Sequence, residues 1–257
     1  MKIAVTGKGG VGKTTFAAVL ARLYADEGRT VLTADVDPDS NLGLALGFTP
    51  EELSEIVPIS KMREMIAERT GAPSDGLGKF FRINPKVDDL PEKFAREKNG
   101  VRMLVMGTVE TGGSGCVCPE HVVLRRLISH LIIQRDEVVI MDMEAGLEHL
   151  GRGTADSMDH FIVVAEPGAR SVQTYHQIKK LAGDLGIRKV SVVGNKVRDA
   201  QDEEFLRREI PAEDLLGIIH YSAEVAAADR DAVSPYETAP SAVEEIRKIK
   251  KILDKEV

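Results

Sequence analysis

The sequence predicts an α/β protein with one doubly wound, mostly parallel sheet and helices packed on both faces of that sheet. Two features of the 257 residues predict this fold. Short runs rich in Val, Ile and Leu recur along the chain without polar alternation, as strands buried on both faces do. Stretches with helical spacing lie between most of these runs, and parallel strands need such crossover connections. We expect a single domain over residues 1–257, with a surface insertion near residues 71–100.

The elements follow one another in strand–helix order. The first strand pattern is KIAVTG, and the stretch after it has the apolar spacing of a helix that stops at Gly28. The later strand patterns are TVLTADVD, VRMLVMG, EVVIMDME, HFIVVAEP, KVSVVGNK and LLGIIHYS. Further helices are expected at residues 50–69, 119–134, 170–185 and 201–209, and in SAVEEIRKIKKILDKE at the end of the chain.

Composition excludes several classes of partner. The net charge of −7 argues against general nucleic-acid binding, which needs clustered Lys and Arg to neutralise phosphates. The sequence has no run of about eighteen apolar residues, so we expect no membrane span. The opening MKIAVTGKGG lacks the long apolar core of a signal peptide, and a cytoplasmic location is therefore expected.

The glycine-rich stretch GKGGVGKT, from Gly7 to Thr14, fits the phosphate-loop pattern G-x-x-x-x-G-K-[ST]. It follows a predicted strand and opens a predicted helix, which is the context this pattern requires. Lys13 is expected to reach the β- and γ-phosphates, and the Thr14 hydroxyl to bind Mg²⁺. The sequence therefore predicts a P-loop NTPase. The loop residues expected to bind nucleotide are Gly9, Gly10, Val11, Gly12, Lys13, Thr14 and Thr15.

Carboxylates follow two of the predicted strands, at the strand ends where open α/β sheets bind their ligands. Asp142 ends the VVIMD run and is expected to hold Mg²⁺. Gly146 is expected to offer its N–H to the γ-phosphate, and residues 147–155 behind it to shift when that phosphate leaves. After the second strand, Asp35 and Asp39 are expected either to assist the metal or to line a polar turn.

The sixth strand pattern ends in NKV. Asn195 is expected to offer its amide to the edge of adenine, with Lys196 beside it in the nucleotide site. Val197 and Arg198 follow, so the guanine-binding pattern N-K-x-D is absent. ATP is therefore predicted rather than GTP.

Both cysteines of the chain, Cys116 and Cys118, lie in GGSGCVCPE. In a reducing compartment such a pair is more typical of metal binding or redox chemistry than of a disulfide. Pro119 fits the first position of a helix, and a helix N-terminus beside Cys118 favours the thiolate. Two thiolates make half of a four-ligand metal site, and a symmetric dimer would supply the other half. The alternatives are two loop cysteines without a function, or a one-chain site completed by His121 and Glu120.

The phosphate loop also carries a second lysine, Lys8, and a GKGGxGKT loop resembles the deviant Walker A loop of the ParA/MinD and nitrogenase-iron-protein group. The resemblance implies that Lys8 reaches the nucleotide of a second subunit, so that ATP binding and dimerisation are coupled. It also implies that Asp37 orients the water that attacks the γ-phosphate, and that Asn41 senses the Mg²⁺ shell.

Longer matches resemble the CooC/AcsF group of nickel-insertion ATPases. They are GKGGVGKTT, DPDSNLG, INPKVDD, CVC, MDMEAGLEHLGRGTA, EPGARS, LAGDLGI and NKVR, and they span most of residues 1–200. This resemblance implies that Cys116 and Cys118 bind Ni²⁺, with Zn²⁺ as a substitute in vitro. It further implies a homodimeric ATPase whose client is carbon monoxide dehydrogenase or acetyl-CoA synthase.

Two other functions stay open from the sequence. Four thiolates on a dimer axis could hold a [4Fe–4S] cluster, as in an iron–sulfur carrier. A MinD-like positioning ATPase would need a membrane anchor, and the C-terminal apolar stripe of Val243, Ile246, Ile249 and Leu253 is the candidate. The mixed Glu and Lys residues on the opposite face favour a helix docked on the sheet instead.

Overall fold

In the computed structural model of the protein, the strands of the described residues form a single sheet of eight strands. The described residues are 1–37, 41–72, 81–107, 118–135, 137–144, 154, 157–187 and 189–255. The strands are β1 (Lys2–Thr6), β2 (Val31–Asp35), β3 (Arg96–Lys98), β4 (Val101–Val105), β5 (Val138–Asp142), β6 (His160–Ala165), β7 (Val190–Val197) and β8 (Leu215–His220). Their order across the sheet is β3-β4-β2-β5-β1-β6-β7-β8. All neighbours pair in parallel except β3 and β4, which are antiparallel at one edge.

Helices cover both faces of this sheet, so the predicted doubly wound architecture is confirmed. Alternate residues of one strand enter different cores: Ala4 packs in one apolar cluster, and Ile3 and Val5 pack in the other. The described helices are α1 (Lys13–Asp26), α2 (Leu42–Leu46), α3 (Pro50–Ser54), α4 (Arg63–Thr70), α5 (Leu90–Phe94), α6 (Pro119–Ile133), α7 (Ala169–Asp184), α8 (Ala200–Glu209), α9 (Ala223–Arg230), α10 (Pro235–Thr238) and α11 (Pro240–Leu253).

The single helix expected over residues 50–69 is wrong. The structure divides it into α3, a 3₁₀ turn at Ile59–Lys61, and α4. Pro58 is the physical reason, because proline has no N–H to donate and disfavours a helical conformation at the residue before it. The first piece still begins as a helix should, with Thr49 and Glu52 forming a reciprocal capping box.

The segment expected to be a surface insertion, residues 71–100, is described at residues 71–72 and 81–100. Here it supplies helix α5 and the edge strand β3. Val87 and Leu90 are almost completely buried and join one of the two cores. The described part of this segment therefore packs against the sheet and extends it by one antiparallel strand. Its status as an insertion stays a prediction.

The last helix, α11, packs against β8 and α1. Its apolar stripe, Val243, Ile246, Ile249 and Leu253, is buried in the same core as the first helix. Lys250 is also buried, and its ammonium contacts Glu27 Oε2 at 2.6 Å and Asp254 Oδ2 at 2.7 Å. The end of the chain is thereby attached to the helix that begins at the phosphate loop.

Candidate nucleotide-binding site

The phosphate loop joins the end of β1 to the start of α1. Gly7 has φ +149°, and a Cβ there would lie 2.4 Å from the carbonyl oxygen of Val164 in β6. A larger residue would therefore push the loop away from the sheet. Gly12 is the residue before the helix, and its carbonyl accepts the first helical hydrogen bond, from the N–H of Phe16 at 3.0 Å. The loop thus ends on the N-terminus of α1, which carries partial positive charge and favours a bound anion.

Strand pairing brings the predicted catalytic side chains to this loop. Asp142 ends β5, which lies between β1 and β2 in the sheet. The Thr14 hydroxyl donates to Asp142 Oδ2 at 2.6 Å. The Lys13 ammonium, 6% exposed, lies 3.4 Å from Asp37 Oδ2. Four residues from three separate parts of the sequence therefore meet beside the phosphate loop.

The group of Thr14 and Asp142 fits a Mg²⁺ ion. Asp142 is completely buried, and its Oδ1 has no hydrogen-bond partner among the residues the structure describes. A buried carboxylate oxygen without a partner costs free energy, and a hard cation with oxygen ligands would satisfy it. Burial raises the pKa of Asp142 to about 7, the charge of Asp35 adds to this shift, and the Thr14 hydrogen bond opposes it. These residues would hold the ion in the ATP-bound protein.

The polar residues at the end of β2 and in the turn after it have different surroundings. Asp35 is completely buried, and its two oxygens accept from the backbone N–H groups of Asp37 and Leu42, both at 3.3 Å. Of the two expectations for Asp35, this geometry supports the shaping of a polar turn. Asn41 is the residue before α2, and it lines the same cavity as Asp37. Asp39 lies outside the described residues.

A cavity of about 790 Å³ opens beside the loop. Its near wall is the phosphate loop, with Gly9, Gly10, Gly12, Lys13, Thr14 and Thr15 among the lining residues. Its far wall was not expected from the sequence, and comprises Tyr221, Ser222, Val225, Ala226 and Asp229. These residues directly follow β8, and the position after a strand is the signal that could have identified them. Ser222 fixes this wall by capping α9, accepting from two backbone N–H groups of its first turn.

The end of β7 reaches the loop from the side. Asn195 Nδ2 donates to the carbonyl of Val11 at 2.7 Å, and Lys196 Nζ donates to the carbonyl of Gly10 at 2.5 Å. Both residues also line the cavity. The structure therefore places both residues beside the phosphate loop, with amide and ammonium donors directed at the loop backbone.

Cys118 lies at the start of α6. Cys118 occupies the position before the helix, with extended backbone at φ −101° and ψ 158°, and Pro119 is the first helical residue. The sequence prediction for this pair of positions is confirmed. Cys116 lies outside the described residues, as does Gly146. The described residues contain no cluster of three or more His, Cys, Asp and Glu that could hold a metal ion.

Helix α6 also contacts the segment after β5. The hydroxyls of Ser129 and Thr154 are 2.7 Å apart, and either one can donate. Thr154 belongs to residues 147–155, which we expect to respond to the γ-phosphate, and its side chain is buried. Cys118 directly precedes the helix that carries Ser129, so one helix connects Thr154 of the expected switch segment with Cys118.

Lys8, at the front of the loop, is half-buried. Its contact with the nucleotide of a second subunit stays a prediction. No helix within the described ranges is long and apolar enough to cross a membrane.

Comparison with known proteins identifies a family. Residues 2–235 match the CobQ/CobB/MinD/ParA nucleotide binding domain. The carbon monoxide dehydrogenase accessory protein CooC of Rhodospirillum rubrum is 48% identical over 94% of this chain and 91% of its own length. An uncharacterised ATP-binding protein of Methanocaldococcus jannaschii is 52% identical over 88% of this chain and 87% of its own length.

Solved structures share the architecture. A chain of the MinC:MinD cell division protein complex of Aquifex aeolicus has a TM-score of 0.68 at 18% identity, with 100% of this chain and 97% of that chain covered. MinD of Pyrococcus horikoshii, complexed with Mg-ADP, has a TM-score of 0.67 at 18% identity, with 99% and 96% covered. This likeness concerns the fold alone. By its family match and its relatives, the chain belongs to the CobQ/CobB/MinD/ParA nucleotide-binding family and, within it, to the CooC-type ATPases.

Proposed function

We propose that the protein is a Mg²⁺-dependent ATPase that works as a homodimer and inserts nickel into carbon monoxide dehydrogenase. The observation that carries the ATPase part is the meeting of Lys13, Thr14, Asp37 and Asp142 at one cavity. The nickel part is supported by the relative named as a carbon monoxide dehydrogenase accessory protein, together with the position of Cys118 before a helix.

Hydrolysis needs positioning and charge neutralisation more than covalent catalysis. Loop N–H groups and Lys13 stabilise the negative charge of the phosphates. Asp37 accepts a hydrogen bond from water and orients its oxygen towards the γ-phosphorus. The new P–O bond forms as the bond to the β–γ bridging oxygen breaks, ADP leaves with that electron pair, and a proton of the attacking water passes to a γ-phosphate oxygen. Mg²⁺ held by Thr14 and Asp142 would neutralise charge on the β- and γ-phosphate oxygens.

The ATPase proposal is tested with Lys13→Ala and a matched surface control, Lys86→Ala. Lys86 is 71% exposed in a loop far along the chain. We expect the Lys13 variant to lose ATP turnover and the control to keep it, with steady-state phosphate release as the measurement. Retained turnover in Lys13→Ala would remove the phosphate-loop assignment.

The metal site is proposed to be shared between two copies. The chain contains only two cysteines, Cys116 and Cys118, so a four-thiolate site needs a second subunit. Thiolates beside a helix N-terminus are stabilised, which favours a soft divalent cation such as Ni²⁺ or Zn²⁺. The geometry that distinguishes these metals depends on both copies, so nickel is proposed from the resemblance of the CVC and MDMEAGLEHLGRGTA stretches to the CooC/AcsF group of nickel-insertion ATPases.

The test replaces both cysteines by serine and combines metal analysis with mass in solution. For the wild type we expect one Ni²⁺ per dimer and a dimer that forms with ATP or nickel. For the double variant we expect nickel binding to be lost while ATP binding is retained. Tight nickel binding by the double variant would place the metal elsewhere. Activation of nickel-free carbon monoxide dehydrogenase is the client assay, and acetyl-CoA synthase is its second arm.

The link from nucleotide to metal is proposed to run through α6. The Ser129–Thr154 contact supports this, because it joins the segment after Asp142 to the helix that begins beside Cys118. When the γ-phosphate leaves, a shift of residues 147–155 would move α6 with it. The thiolates of the two subunits would then separate and release nickel to the client.

One observation and one expected spectrum bear on the other functions. The C-terminal stripe that a positioning ATPase would use as an anchor is buried against the sheet, which weighs against that function. Sedimentation with liposomes and ATP tests it, and binding would restore the membrane alternative. An iron–sulfur carrier would show broad visible absorbance near about 400 nm as isolated, and we expect none.

A further inference from the structure

Two consecutive residues at the end of β7 donate hydrogen bonds to two consecutive carbonyls of the phosphate loop. Asn195 Nδ2 lies 2.7 Å from Val11 O, and Lys196 Nζ lies 2.5 Å from Gly10 O. The partners are more than 180 residues apart in the chain, at separations of 184 and 186. The sequence predicts that Asn195 contacts the edge of adenine, with Lys196 beside it in the nucleotide site, whereas the structure ties both residues to the loop that would hold the phosphates.

The planarity of the peptide bond gives these contacts a consequence. In a trans peptide unit the C=O and N–H point in opposite directions. The carbonyls of Gly10 and Val11 belong to the peptide units whose N–H groups are those of Val11 and Gly12. Holding both carbonyls towards β7 therefore turns both N–H groups away from β7. The Val11 N–H also makes a long contact within the loop, 3.4 Å to the carbonyl oxygen of Lys8. Successive N–H groups with a common orientation form the concave surface that binds anions in such loops.

Two local features are fitted to this arrangement. A Cβ at Gly12 would lie 2.3 Å from Asn195 Nδ2, so the amide can reach Val11 only because residue 12 is glycine. Lys196 has φ +57°, a left-handed conformation that residues with a Cβ rarely adopt. Such strain persists where surrounding contacts compensate for it, and it is frequent at ligand clamps. The Lys196–Gly10 contact is the compensating interaction here.

We infer that Asn195 and Lys196 are positioning residues that hold the phosphate loop in its anion-binding shape before nucleotide arrives. This inference rests on the proposed ATPase function and adds a role within the same site. A loop that is already shaped loses less conformational freedom on binding. The effect concerns the phosphates, so it applies equally to any nucleotide with the same phosphate chain. A base-reading residue would instead change the preference between ATP and GTP.

The experiment compares wild type with Lys196→Met, Lys196→Arg and Lys196→Gly. Affinities for Mg-ATP, Mg-GTP and inorganic tripolyphosphate are measured by calorimetry. We expect Lys196→Met to weaken all three by a common factor of about ten, the size usual for losing one charged hydrogen bond. Lys196→Arg, which keeps a donor, should recover most of the affinity. Lys196→Gly relieves the left-handed backbone but has no donor, so it should bind as weakly as Lys196→Met.

A second readout separates positioning from a general loss of stability. Lys196→Met should raise the KM for ATP more than it lowers kcat, because uniform binding energy is removed. The melting temperature without nucleotide should stay within a degree or two of wild type, while the increase on adding ATP shrinks. For Asn195→Ala we expect ATP and GTP to weaken together, with their ratio unchanged.

Three results would overturn the inference. Wild-type affinity in Lys196→Met would show that the contact does not shape the loop. Weaker ATP binding with unchanged tripolyphosphate binding would place these residues on the base. Wild-type affinity in Lys196→Gly would assign the effect to backbone conformation alone. Failure of the wild type itself to bind ATP is a distinct result, since it would remove the proposed function on which the inference rests.

Discussion

The phosphate loop and the start of α6 are two candidate sites built in different ways. Around the loop, side chains from β2, β5 and β7 converge within one chain, and partly buried hydrogen bonds fix Thr14 and Asn195. At the start of α6, Cys118 makes no capping hydrogen bond with its side chain. The described residues also place no three-ligand cluster there. The candidate nucleotide site therefore lies within one described chain, whereas the proposed shared metal site involves Cys116, which lies outside the described residues.

The largest expected effect is a loss of ATP hydrolysis at the nucleotide site. Asp37→Asn keeps the shape of the side chain but removes the charge that would orient the attacking water. We expect kcat for ATP hydrolysis to fall by about a hundredfold or more, with ATP affinity retained. Single-turnover phosphate release and calorimetry are the measurements.

The matched control for that variant is Asp88→Asn, at an exposed carboxylate outside the cavity, which should hydrolyse ATP as the wild type does. Turnover in Asp37→Asn that equals the control would mean that another group orients the water.

A pH dependence sharpens the same comparison, because only the pre-built site should show it. Burial raises the pKa of Asp142 from its ordinary 3.8 to about 7 in the folded protein. The folded state therefore binds this proton more tightly than the unfolded state does. Without Mg²⁺, the free energy of unfolding should fall as the pH rises between these two pKa values. The slope for this one proton is at most about 1.4 kcal/mol for each step of one in pH.

Denaturant unfolding in EDTA, at pH values from about 5 to 8, measures this slope. Asp142→Asn should flatten it, and Mg-ATP should restore stability to the wild type alone. An equal slope in Asp142→Asn would assign the dependence to other groups.

A smaller effect concerns the connection between the two regions. Ser129→Ala removes the hydroxyl that contacts Thr154 and leaves the cysteines and the loop unchanged. We expect the ATP-dependent change in nickel affinity to shrink by a few-fold, within the usual range of about 1–3 kcal/mol for coupling free energies. Nickel titrations with and without ATP measure it. Ser54→Ala, an exposed serine of α3, is the control, and equal coupling in both variants would end the proposed route.

The smallest expected effect tests whether one chain can complete the metal site. His121→Ala removes a ligand of the one-chain metal site considered above, and this residue lies in the first turn of α6. We expect one Ni²⁺ per dimer and an affinity within about twofold of wild type, since a lost ligand would cost tenfold or more. A large loss with this variant, accompanied by one nickel per monomer, would replace the shared site with a one-chain site.

The strands and the phosphate loop could be predicted because their signals are local. A run such as VVIMD predicts a buried strand without reference to the rest of the chain. The glycine and lysine spacing of the loop is likewise a short pattern. Asp142 was assigned correctly to a strand end for the same reason. The confirmed position of Cys118 before α6 followed from a local signal too, the proline after it.

The features that sequence reasoning missed depend on tertiary contacts. The three-residue strand β3 exists because β4 provides a partner, and its residues carry no strand pattern. Tyr221 and Ser222 enter the site because β8 lies beside β7 in the sheet order. The orientation of Asn195 towards Val11 depends on the packing of β7 against the loop, which no spacing reveals. Pro58 is the exception, because proline is itself a local signal of the break between α3 and α4.

The attachment of α11 to α1 bears on how the protein is made. Ribosomes deliver the N-terminal end first. The loop of Gly7–Thr14 is therefore synthesised before Lys250 and the buried stripe that secure its helix. Asn195 and Lys196, which contact the loop, also follow it. A nascent chain should thus gain the ability to capture ATP only after α11 has emerged from the ribosome.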